Sequence, residues 1–340
     1  MGGGPPALAA PRPAGQAGDV ERPGTRQVDL GDGRALVVRP MAPGDVDGLV
    51  ELYAGLSDED RYRRFFSAYR PDRAFFERAV AVWSRGGAGL VAVEVDTTRP
   101  DRPELRIVGE ASYELLPSGD GELGMAVAAD RRGWLGPYLL DALLEVAASR
   151  GVPNLRADVL ATNAPMLALL RSRGHAYLPT SDWVSLRLVI GTRGDTPVWS
   201  GGPGGGLRRR GRLLVEAPGG RWHGTEEARE AGFDVVTCAG PRAGRRGCPA
   251  LAGRPCPLVE GADAVVVSRA PDDERWRALV DAHAELHPGV PVCIEPREGP
   301  AGPETLTVAI LDRVTAALAA AGHPPARDED DDEREPRRDE

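Results

Sequence analysis

Glu122 heads the run Glu122-Leu123-Gly124-Met125-Ala126-Val127-Ala128, in which large apolar side chains alternate with very small ones. In an extended strand of period two, Leu123, Met125 and Val127 point to one face, and Glu122, Gly124, Ala126 and Ala128 to the other. A strand face bare except for one carboxylate leaves room for a slender substrate arm beside a group able to accept a proton. Glu110 and Glu114 are spare carboxylates on the preceding strand-like segment. The plainer alternative for Glu122 is a polar residue at a hairpin end beside Gly121.

A second arrangement follows at once. Arg131-Arg132-Gly133-Trp134-Leu135-Gly136 forms a short Gly-containing turn between that strand and a helix-like repeat beginning at Pro137. Such a bend presents free backbone amides and the positive end of a helix dipole, a site suited to a pyrophosphate. Gly133 and Gly136 let the backbone approach, while Arg131 and Arg132 add charge. Pro137 suits a first helical turn but subtracts one amide donor. The plainer alternative is an ordinary helix start with solvated arginines. Asn163 has the residue type of an N-cap for the helix it begins.

The elements that must position these groups can be read from periodicity. Ala35–Arg39 reads as a strand and 43–56 as a helix with Val46, Leu49, Val50 and Tyr53 on one face. A second helical stretch runs to Ser84, opened by a capping box of Ser57 and Asp60. Residues 90–95, 105–116 and 122–128 form an antiparallel meander, the last pair joined by Ser118-Gly119-Asp120-Gly121. Residues 137–150 are helical, 155–160 a strand, 163–173 a helix and 184–190 a last strand. A mixed sheet flanked by helices is the economical layered solution for that order.

On these pieces the sequence resembles the GNAT superfamily, and within it the bacterial protein-acetyltransferase type. The resemblance spans about residues 33–192. It is carried by Val38-Arg39-Pro40, the stretch from Leu56-Ser57 to Arg64-Phe65-Phe66, Ile107-Val108-Gly109-Glu110-Ala111, and Gly121 to Val127. Arg132-Gly133-Trp134-Leu135-Gly136, Ala157-Asp158-Val159-Leu160, Asn163, Met166 and Gly174 complete it. The resemblance implies acetyl transfer from acetyl-CoA to a primary amine, with a protein lysine as the expected acceptor and Glu122 as the base. It further implies cofactor contacts along Val127, Ala129, Arg131, Arg132, Gly133, Trp134, Leu135 and Gly136, and a pantetheine hydrogen bond to Asn163. Two departures stand out. Trp134 occupies the place of the first glycine in the family's loop when aligned from the helix. The tyrosine frequent seven residues after the asparagine is here Leu170, which leaves thiolate departure to water, Tyr138 or Tyr177. These departures motivate two alternatives, a non-catalytic regulator that binds CoA or protein on a decayed GNAT fold and a small-molecule amine acetyltransferase.

Composition sets the remaining bounds. The 340 residues, 41% of them hydrophobic, suffice for two cores, and the formal net charge of -9 argues against a nucleic-acid surface. No apolar run approaches the roughly 20 residues that cross a bilayer, and the start lacks a signal-peptide layout, so a cytoplasmic location is expected. The chain contains no lysine. Residues 1–28 read as a flexible leader, 193–210 as a Gly-rich linker, and 323–340 as an acidic, solvated tail.

Between the last two, 211–322 reads as a second, smaller α/β unit. Its strands at 212–217, 233–238, 262–268 and 290–294 alternate with helices at 225–231, 275–286 and 304–320. That is a doubly wound pattern, receiver-like or flavodoxin-like in outline, with ligands expected near Pro218-Gly219-Gly220 and Ser268-Arg269. Its role is unknown from the fold alone, with regulation as one reading. Cys238, Cys248, Cys256 and Cys293 lack paired zinc-ligand spacing, so no metal site is assigned. Inert thiols are the default, with metal binding or redox sensing helped by Arg242, Arg245 and Arg246 as alternatives.

Overall fold

The computed structural model describes residues 25–31, 33–96, 98, 105–174, 176–178, 184–194, 196–200, 210–241, 247–268, 274–295 and 303–322. The expected acidic tail and residues 1–24 of the expected leader lie outside the described residues, as do Arg242, Arg245, Arg246 and Arg269.

The first half runs β1 (Arg26–Gly31), β2 (Arg34–Pro40), α1 (Val46–Ala54), α2 (Asp58–Phe65), α3 (Arg73–Val80), β3 (Ala88–Asp96), β4 (Leu105–Leu115) and β5 (Gly121–Val127). It continues with α4 (Leu135–Ser149), β6 (Asn154–Leu160), α5 (Ala164–Arg171), β7 (Ala176–Leu178) and β8 (Ser185–Gly191). The capping residues act as their types suggest. Ser57 accepts from the Asp60 amide, Asp72 from that of Phe75 and Asn163 from that of Met166. The long helical stretch expected from Ser57 to Ser84 is broken. Phe66 ends α2 in the left-handed region at φ 57°, which a residue with a Cβ adopts only at a cost.

Strands β1 to β5 form an antiparallel meander. Helix α4 covers one face through Leu135, Leu139, Leu140, Leu143 and Val146, and α1 to α3 lie on the other through Leu49, Tyr53 and Phe76. Two corrections fall here. The expected leader overlaps β1, whose Arg26, Gln27, Val28 and Asp29 pair with Val38, Val37, Leu36 and Ala35. The three-residue β7 lay in no expected element; it pairs with β8.

The second half supplies β9 (Gly211–Glu216), α6 (Thr225–Glu230), β10 (Phe233–Cys238), α7 (Pro257–Glu260), β11 (Ala264–Val267), α8 (Glu274–Leu286), β12 (Val292–Ile294) and α9 (Pro303–Ala320). Its strands are parallel in the order β10-β9-β11-β12. Both faces are buried, as near-continuous runs such as Ala264-Val265-Val266-Val267 require. Leu214, Val236, Val265 and Val267 pack with Trp276 and Leu279, while Leu213, Val215, Val235 and Val266 pack with Ile310 and Val314.

The two halves share one mixed sheet of twelve strands, joined where Tyr177 of β7 pairs antiparallel with Thr237 of β10. The expected linker is not free along its described part. The Val198 amide donates to Asn154 Oδ1, Ser200 Oγ donates to the buried Asp120, and the buried Trp199 donates to the Leu258 carbonyl. Among the described residues no helix is long and apolar enough to cross a membrane.

Candidate active site

The site begins with a break in the sheet. Strands β5 and β6 run parallel but pair only at Gly121 with Leu155 and Glu122 with Arg156. Beyond Glu122 they diverge, so the backbone of β5 on that side has no neighbouring strand and its amides and carbonyls can serve a ligand. The gap opens into a cleft of about 1120 Å³, walled by Leu123 to Val127, Arg132, Gly133, Gly136, Pro137, Asn163 and Met166. Gly136 and Pro137 of the first turn of α4 line this cleft, so the amino end of that helix, where amides are left free and the dipole is positive, borders the gap. Arg229 of α6 also reaches the cleft, so the second half contributes to its wall.

A smaller cleft of about 290 Å³ lies on the α1–α3 side, lined by Tyr53, Phe65, Phe75, Phe76, Glu110, Ser112, Glu114 and Glu122 among others. The β4–β5 register sets Glu110, Ser112 and Glu114 opposite Ala126, Gly124 and Glu122. Glu110 is buried; it accepts a hydrogen bond from Tyr53 at 2.7 Å. Burial pushes its carboxyl above the usual glutamate range, although the Arg64 charge and the Tyr53 and Ser112 hydroxyls oppose the shift. Glu114 is tied to Arg85 at 2.9 Å, and Glu122 is exposed at the edge common to both clefts.

The expected site residues separate into two groups. Glu122, Val127, Arg132, Gly133, Gly136 and Asn163 come together on the larger cleft. Ala129, Arg131, Trp134 and Leu135 are not among its lining residues. Arg131 bonds the carboxylate of Glu94 and lies beside Asp130. The Leu135 side chain is wholly buried in the core, and the Trp134 ring is 41% exposed, so the indole does not fill the cleft. Arg132 contacts Asp60 at 2.7 Å across the mouth. Burial works against ionisation of Asp60, yet Arg132 and Ser57 hold it below the ordinary carboxylate range.

The bare face of β5 needs a correction as well. The space left by Gly124 is taken by Arg64 from α2, since a Cβ at position 124 would stand 2.2 Å from Arg64 Nη2. Sequence reasoning passed over Arg64 and the buried Glu110–Tyr53 pair. The available signal was a cation embedded among aromatics in Arg64-Phe65-Phe66, opposite a strand glycine. The other candidate acids stand away from the clefts: Tyr177 is buried against Gly220 and accepts from Arg171, and Tyr138 packs under Arg26.

In the second half the carboxyl ends of the strands carry buried polar pairs. Glu216 bonds His283 at 2.9 Å, and Glu295 accepts from Ser268 at 2.5 Å and Trp222 at 3.2 Å. The cysteines are free thiols; burial pushes Cys256 up to about 12 and Cys238 well above its ordinary value. No group of three metal-ligating side chains occurs among the described residues.

No protein-family model matches the chain. Over 161 residues it is 27% identical to the acetyltransferase Pat of Mycolicibacterium smegmatis, an alignment covering 44% of each chain. Among solved structures it is similar to the GNAT domain of S. lividans PAT, at 24% identity and a TM-score of 0.43, covering 49% of this chain and 97% of that one. It is also similar to a GNAT superfamily phosphinothricin acetyltransferase from Sinorhizobium meliloti in complex with AcCoA, at 16% identity and a TM-score of 0.37, covering 45% and 86%. The chain spans less than half the length of the curated relative it matches.

Proposed function

We propose that this chain is an N-acetyltransferase of the GNAT type that moves acetyl from acetyl-CoA to a primary amine, with a protein lysine as the acceptor. The observation that carries the reading is the gap between β5 and β6, which opens beside Glu122 and faces the amino end of α4. On this reading the backbone of Leu123 to Val127 holds the pantetheine arm, and Gly133, Gly136 and Arg132 hold the diphosphate. The amine arrives through the smaller cleft, whose aromatic walls and carboxylates suit an apolar stem ending in a cation. Glu122 takes the proton that the amine must lose before it attacks the thioester. The exposed Trp134 leaves the cleft open, which weakens one of the motives for a non-catalytic reading, while Pro137 and Leu170 remain as the sequence has them.

The transferase unit then comprises 33–192 with β1 added. Residues 211–322 form a doubly wound α/β unit that senses a ligand or partner, and Arg229 and the β7–β10 pairing connect it to the transferase.

The test is Glu122→Gln, which keeps size and removes the base. Acetyl-CoA binding should stay near that of the unaltered chain, while turnover on a lysine-containing peptide falls about 100-fold or more. Equal turnover would remove Glu122 from this role. Because the chain has no lysine of its own, acetyl-lysine formed in the assay belongs to the acceptor.

A further inference from the structure

Five residues line both clefts: Arg64, Phe65, Glu122, Leu123 and Gly124. With the coenzyme in one cleft and the amine entering by the other, the thioester carbonyl must lie where the two meet, because bond formation needs the reactants in contact. Only two of the five carry charge. One is Glu122, the proposed base; the other is Arg64.

Arg64 is set for more than packing. Its Nε lies buried and, among the described residues, has no hydrogen-bond partner, an arrangement that is costly unless something accepts from it. Glycine at position 124 is what admits the guanidinium, and Tyr53, Glu110 and Glu122 surround it with negative or electron-rich groups. The reaction also needs such a cation. Leu170 offers no proton to the departing sulfur, and neither Tyr138 nor Tyr177 lines either cleft.

We propose that Arg64 is a catalytic residue of the acetyl transfer, its guanidinium at the junction of the two clefts donating to the thioester as negative charge builds on the carbonyl oxygen and then on the sulfur. The proposal rests on the acetyltransferase reading above. The amine lone pair attacks the carbonyl carbon, the new C–N bond forms, and the carbonyl π pair moves onto oxygen. Glu122, having passed the ammonium's first proton to solvent before the attack, takes the second proton from the nitrogen of the adduct. Collapse of the oxyanion breaks the C–S bond and expels the coenzyme as a thiolate beside Arg64, to be protonated by solvent. A guanidinium suits this step because it stays charged throughout and stabilises an anion without giving up a proton.

The experiment compares the full chain with Arg64→Gln and Arg64→Lys. Turnover of acetyl-CoA should fall about 100-fold or more in Arg64→Gln, with the acetyl-CoA KM changed only a few-fold, and Arg64→Lys should lie between. The second readout is the thiol of bound coenzyme A, titrated by its thiolate absorbance with desulfo-coenzyme A as the blank. In the unaltered chain it should ionise below the ordinary thiol value of about 8.5, and in Arg64→Gln it should return to that value. Equal turnover, or the same thiol titration in both chains, overturns the assignment of Arg64. Should Arg64→Gln fail to fold, an Arg64→Lys chain as fast as the unaltered one, with an unshifted thiol, overturns it as well. If the unaltered chain binds no coenzyme A, the acetyltransferase reading fails and takes this proposal with it. If it binds and turns over while the variants match it, only Arg64 is wrong.

Discussion

Replacing Asp120 tests how the second half is fastened to the end of β5. The side chain is wholly buried and accepts from Asn154 Nδ2 at 2.9 Å, Arg156 Nε at 2.5 Å and Ser200 Oγ at 2.5 Å. Asn154 in turn holds both polar groups of the Val198 backbone, and Arg212 donates to the Ser200 carbonyl. Removing one partner of a buried ion pair costs about 3–5 kcal/mol; Arg156 keeps 22% of its side-chain surface in water, which places Asp120→Ala near the lower end, about 3 kcal/mol. Asp120→Asn retains the shape and one acceptor, so its loss should be smaller, about 1–2 kcal/mol. Urea unfolding followed by circular dichroism and tryptophan fluorescence reads both values. If both variants lie within about 0.5 kcal/mol of the unaltered chain, Asp120 does not fasten the 196–200 segment and the argument is wrong.

Two further outcomes follow from the same packing logic. A Cβ at Gly220 would stand 2.0 Å from the Tyr177 ring at φ 71°, so Gly220→Ala should lose about 2–4 kcal/mol in denaturant unfolding through overpacking and left-handed strain, and Tyr177→Ala should restore part of that loss in the double variant. Additive losses would show that the ring and the glycine do not meet. Burial pushes the Cys256 thiol up to about 12, so at pH 8 a thiol reagent should modify it only after unfolding, as peptide mapping would show; rapid labelling of the native chain would instead favour an exposed, reactive thiolate.

Much of the fold was legible because its elements carry their own signals. Leu139, Leu140 and Leu143 recur at helical spacing and are buried in α4, and Ser57 and Asn163 cap the helices they precede. Strand β1 was missed because its alternation is short, with Val28 and Leu30 alone supplying the apolar inward face of Arg26–Gly31, and its pairing with β2 completes what that brief pattern only begins. The gap between β5 and β6 was not readable, since the same residues satisfy strand periodicity whether or not a neighbour continues beside them. Arg131 and Arg132 adjoin in sequence, yet one turns to Glu94 and the other to the cleft, a choice made by the 3-10 turn at Ala129–Arg131. Gly124 suggested empty space, but what fills a glycine's place comes from a distant element, here Arg64 on α2. Trp199 looked like part of a flexible Gly-rich run because composition says nothing of its partner carbonyl at Leu258.

Hydrogen exchange with and without acetyl-CoA tests most directly whether the diverging strands hold the coenzyme. Added acetyl-CoA should slow exchange at the amides of Leu123 to Val127 and of Gly133 to Gly136, with little change in β1 to β3. Unchanged exchange at both segments, or protection confined to the carboxyl ends of β9 and β11, would contradict that role of the diverging strands.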